Sequence, residues 1–169
     1  MDVDHSNIVV MGVSGSGKTT VGAMLAGRLH WQYAEADDFH PPANIQKMAA
    51  GHPLTDEDRR PWLAAIGAWI DQQVAAGQPG VVTCSALKRA YRDQLRAGRS
   101  QVRLVYLHGD RELIAARLAA RHGHFFHAEM LDTQFSALEE PTPDEQVLVV
   151  PITGTPQEIV EEILAGLGR

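Results

Sequence analysis

The sequence predicts an α/β fold, a parallel sheet with helices on both faces, and three observations carry that prediction. Apolar runs of strand length occur at Ile8–Met11, Val81–Cys84, Val102–Leu107 and Val147–Val150, with a weaker fifth at Tyr33–Ala36. They are near-continuous rather than alternating, as strands covered on both faces require. Helical periodicity fills the intervals between them, so strand and helix alternate along the chain, the pattern of right-handed crossovers. At 169 residues the chain is most simply one domain, residues 1–169.

The elements follow in order. After Ile8–Met11 comes Gly12-Val13-Ser14-Gly15-Ser16-Gly17-Lys18-Thr19, which satisfies G-x-x-x-x-G-K-[ST] at every fixed position. The helix-like run Thr20–Ala26 follows, so the motif has the strand-before, helix-after context that its chemistry needs. Glycines let the backbone turn its N–H groups inward, where they and the helix N-terminus attract phosphate. Lys18 can reach the β- and γ-phosphates, and the Thr19 hydroxyl can ligate Mg²⁺. A nucleotide is implied, but not what is done with it. Next, Thr55-x-x-Asp58 resembles a capping box, with Pro61 expected in the first turn of the helix it opens. Leu63, Ile66, Ile70 and Val74 continue that helix, and Pro79-Gly80 ends the segment. Leu113, Ile114 and Leu118 mark a further helix, and Ile159, Val160, Ile163, Leu164 and Leu167 mark the last.

Composition narrows the function classes. The chain is 44% hydrophobic and 21% charged, the balance of a globular domain. No apolar run approaches the roughly 20 residues of a membrane span. A net charge of −6 argues against a general nucleic-acid binder, which needs a basic footprint. It also means that an anion such as ATP must be held by a few clustered cations. Met1–His5 shows no signal-peptide pattern, and the single cysteine, Cys84, allows no internal disulfide, so a cytoplasmic enzyme is expected. Cys84 itself, beside Val81 and Val82, reads as a buried structural thiol rather than a nucleophile.

Ligands of open α/β sheets bind beyond the carboxyl ends of the strands, which directs attention to the residues after each strand. Glu35-Ala36-Asp37-Asp38 follows the second. It is either a solvated acidic turn or the carboxylate that accepts the proton of an attacking hydroxyl, as phosphoryl transfer requires. Strict alternation would send Glu35 and Asp37 to one side. Cys84-Ser85-Ala86-Leu87-Lys88-Arg89-Ala90-Tyr91-Arg92 follows the third. Ser85 suits a helix N-cap, and Lys88 and Arg92, four apart, share a helix face. That face either is solvated or meets a substrate anion, the arginine bidentately. After the fourth strand come Asp110 and a helix bearing Arg117 and Arg121, then His122-Gly123-His124-Phe125-Phe126-His127. Arginines beside a glycine-containing loop suit a lid that closes over ATP. The H-x-H-x-x-H spacing lacks a carboxylate or cysteine partner and reads as surface histidines rather than a metal site. After the fifth strand, Pro151-Ile152-Thr153-Gly154-Thr155-Pro156 is either a plain connection or an edge against which adenine lies.

These strand-end residues resemble the gluconokinases of the shikimate-kinase-like branch of small P-loop kinases, over nearly the full length. The resemblance rests on Gly12–Thr19, on Asp37 with His40-Pro41, on Asn44-Ile45-Gln46-Lys47-Met48, and on Gly51 through Leu63. It continues through Cys84–Lys88 with Tyr91-Arg92-Asp93, through Gly123-His124-Phe125-Phe126, and through Gln134-Phe135 with Leu138-Glu139. It implies a three-layer P-loop NTPase fold, with five parallel strands in the order 2-3-1-4-5 and a mobile lid at about residues 121–135. It implies ATP-dependent phosphorylation of the terminal hydroxyl of D-gluconate, with ATP and Mg²⁺ as cofactors and, family members being often dimeric, a homodimer. The implied catalytic residues are Lys18, Asp37 and Arg121. The implied ATP-binding set is Gly12, Ser14, Gly15, Ser16, Gly17, Lys18, Thr19, Thr20, Arg117, Thr155 and Pro156, with Thr19 on the metal. Asp37, His40, Arg59, Lys88, Arg92 and Gln134 are implied to hold gluconate.

This chain departs from the family pattern in two places. Glu35-Ala36-Asp37 stands where D-x-D is expected, and no Asp ends the third strand, so metal rests on Thr19, phosphates, waters and the acidic cluster. Two other functions remain to be weighed: a kinase of another small hydroxy acid such as shikimate, and a non-catalytic nucleotide-dependent switch. Against the switch, no N-K-x-D guanine-reading run is present.

Overall fold

The structure is a computed structural model that describes residues 7–122 and 128–169. Five parallel strands, β1 (Asn7–Met11), β2 (Gln32–Glu35), β3 (Gly80–Thr83), β4 (Val102–His108) and β5 (Leu148–Pro151), form one sheet in the order β2-β3-β1-β4-β5. β1 lies at the centre, with Val9 in register with Val82 on one side and Leu104 on the other. Both the strand positions and the order agree with the expectation from sequence.

Seven helices among the described residues cover the sheet: α1 (Lys18–Leu29), α2 (Pro42–Ala49), α3 (Asp56–Ala76), α4 (Arg89–Arg96), α5 (Arg111–His122), α6 (Ala128–Ala137) and α7 (Pro156–Gly166). Side chains alternate across the strands, which explains why the apolar runs are continuous. Ile8, Val10, Val105 and Leu107 pack with Leu25 of α1, Ile114 of α5, Leu131 of α6 and Ile163 of α7. Val9, Met11, Val82 and Leu104 face the other way, onto Trp62, Leu63, Ile66 and Ile70 of α3 and Leu95 of α4. The result is three layers with two separate cores. Among the described residues, no helix is long and apolar enough to cross a membrane.

Two local expectations are corrected. Pro61 lies inside α3 rather than in its first turn, because the capping box of Thr55 and Asp58 starts the helix five residues earlier. Ser85 caps nothing: α4 begins at Arg89, and Cys84–Lys88 runs as an irregular segment instead. Val74, the last member of the α3 stripe, is exposed.

Candidate active site

The donor half is built where β1 runs into α1. Gly15 and Gly17 take φ values of +83° and +95°, the left-handed region that L side chains avoid. A Cβ on Gly15 would also lie 2.6 Å from Leu118 of α5. The first turn of α1 carries no acidic residue, so its positive end is left for an anion. Lys18 Nζ donates to the carbonyls of Gly12 at 2.9 Å and Val13 at 3.0 Å. Desolvation lowers its pKa from the usual 10.5 to about 8, although the Cys84 sulfur and the carboxylates of Asp37 and Glu35 act to raise it. A cavity of about 190 Å³ opens beside the loop, lined by Gly15, Ser16, Gly17, Thr20, Arg117 and Arg121, and closed below by Val21, Leu118, Pro156 and Ile159. Seven of the expected ATP-binding or catalytic residues therefore meet around one space. Thr155 does not line it, since its hydroxyl is occupied in the capping box with Glu158 at the start of α7. Arg117 also donates to the carbonyl of Ile152.

The Thr19 hydroxyl donates to Glu35 Oε1 at 2.5 Å. A hydroxyl beside a carboxylate is an all-oxygen donor pair, which suits a hard cation such as Mg²⁺ that keeps most of its waters. The residues present thus fit that ion, and the longer glutamate is accommodated at the position where the family pattern has aspartate. No cluster of three or more metal-ligating His, Cys, Asp or Glu side chains occurs among the described residues.

The candidate acceptor half gathers beyond the end of β2 and the start of α3. β2 ends at Glu35, and the chain then enters a 3₁₀ turn, Ala36–Phe39, so strand alternation does not extend to Asp37. Trp62 of α3 pins this turn: its indole N–H donates to the Ala36 carbonyl at 2.6 Å, and its ring stacks on His40 at 4.6 Å. Burial lowers the His40 pKa; Asp37 raises it and Arg59 lowers it further. Asp37 is thus close enough to act on both Lys18 and His40. Arg59 and Lys88 both approach the ring of Tyr91, each 5.8 Å from its centroid. Asp56 ties the group together, accepting from Lys88 at 3.0 Å and from the Tyr91 hydroxyl. Tyr91 and Asp56 had no role assigned from sequence. The signal available was the spacing of Asp56 three residues before Arg59 on one helix; none marked Tyr91, since Lys88 precedes its helix.

Two expected substrate ligands are placed elsewhere. Arg92 is fully buried. Its Nε and Nη2 donate to the Glu145 carboxylate at 2.6 and 3.2 Å, and its Nη1 donates to the carbonyls of Ala86 and Leu87 at 3.0 and 3.2 Å. It shares no face with Lys88, which precedes the helix, and its donors are directed into the protein. Gln134 of α6 instead serves the phosphate loop. Its Oε1 accepts from the Ser14 N–H at 2.6 Å, and its Nε2 donates to Ser14 Oγ at 2.7 Å. Cys84 is buried, and desolvation pushes its thiol up to about 12, which removes it as a nucleophile. Gly123-His124-Phe125-Phe126 and His127 lie outside the described residues.

A family model described as an AAA domain matches residues 8–141. The chain is 48% identical over 157 residues to a gluconokinase of Gluconobacter oxydans (strain 621H), covering 93% of this chain and 88% of that protein. It is 45% identical over 168 residues to the thermoresistant gluconokinase of Escherichia coli (strain K12), covering 96% of each. This chain belongs to the gluconokinase family. Among solved structures, a gluconokinase from Sinorhizobium meliloti 1021 superposes with a TM-score of 0.86 at 47% identity, over 97% of this chain and 92% of that one. With such coverage, both the donor and the acceptor half fall within the family likeness.

Proposed function

We propose that this chain transfers the γ-phosphoryl group of ATP to the terminal hydroxyl of D-gluconate, giving 6-phospho-D-gluconate and ADP. The electrostatic support is that Asp37 raises the pKa of both Lys18 of the phosphate loop and His40 beside Trp62, against the larger effect of burial. A carboxylate within electrostatic reach of both groups supports direct transfer from the phosphate loop to a neighbouring hydroxyl. The choice of gluconate rests on the family.

In this reading the loop N–H groups and Lys18 hold the β- and γ-phosphates, and the cavity between α1, α5 and α7 takes the rest of the nucleotide. Arg59 and Lys88 hold the gluconate carboxylate, with Tyr91 as the surface between them. Asp37 accepts the hydroxyl proton as the oxygen attacks the γ-phosphorus, and later releases it to solvent. Arg121 stabilises charge on the transferring group. Thr19 and Glu35 would hold Mg²⁺, which supplies charge neutralisation to the phosphates when bound. The chain acts in the cytoplasm as a homodimer, for which the family habit is the support; sedimentation should give twice the mass of one chain.

The test is ADP release measured across D-gluconate, shikimate, related sugar acids and nucleoside monophosphates. Turnover is expected with gluconate well above the others. Turnover confined to a nucleoside monophosphate would overturn the reading.

A further inference from the structure

We propose that Arg92 is a positioning residue, which fixes Lys88 relative to the phosphate loop without touching substrate. This rests on the reading of Lys88 as a gluconate-binding cation.

The segment Cys84–Lys88 connects β3 to α4 without regular structure. It nevertheless links the two halves of the site. At its start, the Cys84 N–H donates to the Val10 carbonyl at 3.0 Å, and the Ser85 carbonyl accepts from the Gly12 N–H at 3.3 Å. At its end stands Lys88. Between them Ala86 adopts φ +45°, a left-handed conformation that a residue with a Cβ holds only when its surroundings impose it.

Arg92 is what imposes it from inside. One guanidinium nitrogen, Nη1, takes both the Ala86 and the Leu87 carbonyl, while Nε and Nη2 face Glu145. Glu145 is held in turn, accepting from the Thr142 N–H at 2.9 Å. From outside, Glu139 closes the clamp: its N–H donates to the Leu87 carbonyl at 2.8 Å, and its carboxylate accepts from the Arg89 N–H at 2.9 Å. The segment is therefore gripped on both sides one residue before Lys88.

A buried ion pair seldom adds net stability over apolar groups of the same volume, so stability alone does not account for this one. What the planar fork supplies is direction: two carbonyls on one side and a carboxylate on the other. Lysine carries its donors on one nitrogen and cannot span both.

The test is a double-mutant cycle between Arg92→Lys and Lys88→Ala, reading gluconate KM and kcat, nucleotide Kd and melting temperature. Arg92→Lys should raise gluconate KM roughly tenfold, the effect of losing one charge-assisted contact, with nucleotide Kd unchanged. On the Lys88→Ala background it should add nothing, since its effect passes through Lys88. A lowered melting temperature with normal gluconate KM would reduce Arg92 to a structural residue. Multiplicative losses in the double variant would show that Arg92 meets the substrate itself. A normal gluconate KM for Lys88→Ala alone would instead overturn the reading of Lys88. If Arg92→Lys does not fold, Glu145→Gln carries the test by weakening the carboxylate that holds the Arg92 fork. A several-fold rise in gluconate KM at unchanged nucleotide Kd is then expected, and a normal KM would overturn the proposal.

Discussion

Lys18 is the residue on which the donor half turns. Its pKa of about 8 in the unliganded protein results mainly from desolvation. Phosphate charge at the ammonium favours the protonated form, so the pKa rises on nucleotide binding. The sign of the pH effect follows. Below about 8 the lysine is charged in both states and binding is insensitive to its titration. Above it the free protein must take up a proton to bind, and affinity falls by up to about tenfold per pH unit. Calorimetry at pH about 9, in two buffers of different ionisation enthalpy, should detect that uptake. Lys18→Ala should abolish it and cost roughly 3–4 kcal/mol of transition-state stabilisation, read as kcat/KM. Residues such as Lys18 and Thr19 are legible in sequence because their spacing along one short loop already determines what they can reach. Arg92 is not. Four-residue spacing identifies a helix face only if both residues are on the helix, and Lys88 precedes it. Nothing in the local sequence shows that Glu145, fifty-three positions away, will be the partner.

At the scale of elements, α3 does the most for the acceptor half. Its N-terminus carries Asp56 and Arg59, and its second turn carries Trp62, which holds the Ala36 carbonyl and stacks on His40. The helix start therefore has consequences beyond stability. Thr55→Ala removes the hydroxyl that accepts from the Asp58 N–H at 3.1 Å. It should destabilise the protein by about 1 kcal/mol in urea unfolding and raise gluconate KM while leaving nucleotide Kd unchanged. An equal weakening of nucleotide binding would mean that α3 supports both halves. The box was readable because Thr55-x-x-Asp58 is a local pattern. The position of Pro61 was misread because proline is tolerated in a first turn, and the cap, not the proline, sets where that turn lies. The irregular Cys84–Lys88 segment was misread as a helix start for a related reason. A serine offers a cap only where the chain is free to turn, and here the Ser85 carbonyl is tied to the phosphate loop.

At the scale of the whole molecule, the sheet was the most legible feature. Continuous apolar runs imply cover on both faces, and the two cores confirm it residue by residue. Strand order came from the family likeness, because no single strand carries the identity of its neighbours. That order has a kinetic consequence. With β1 in the centre, the cavity beside the phosphate loop lies toward α5 and α7, and Arg59 and Lys88, the proposed gluconate cations, gather on Tyr91 of α4. If these are the two substrate seats, as proposed, neither ligand has to leave for the other to enter, and Cys84, buried and protonated, offers no place to store the phosphoryl group. Both substrates must then reside together at turnover. Initial-rate plots against one substrate at several levels of the other should intersect; parallel lines would indicate a covalent phosphoenzyme and overturn direct transfer.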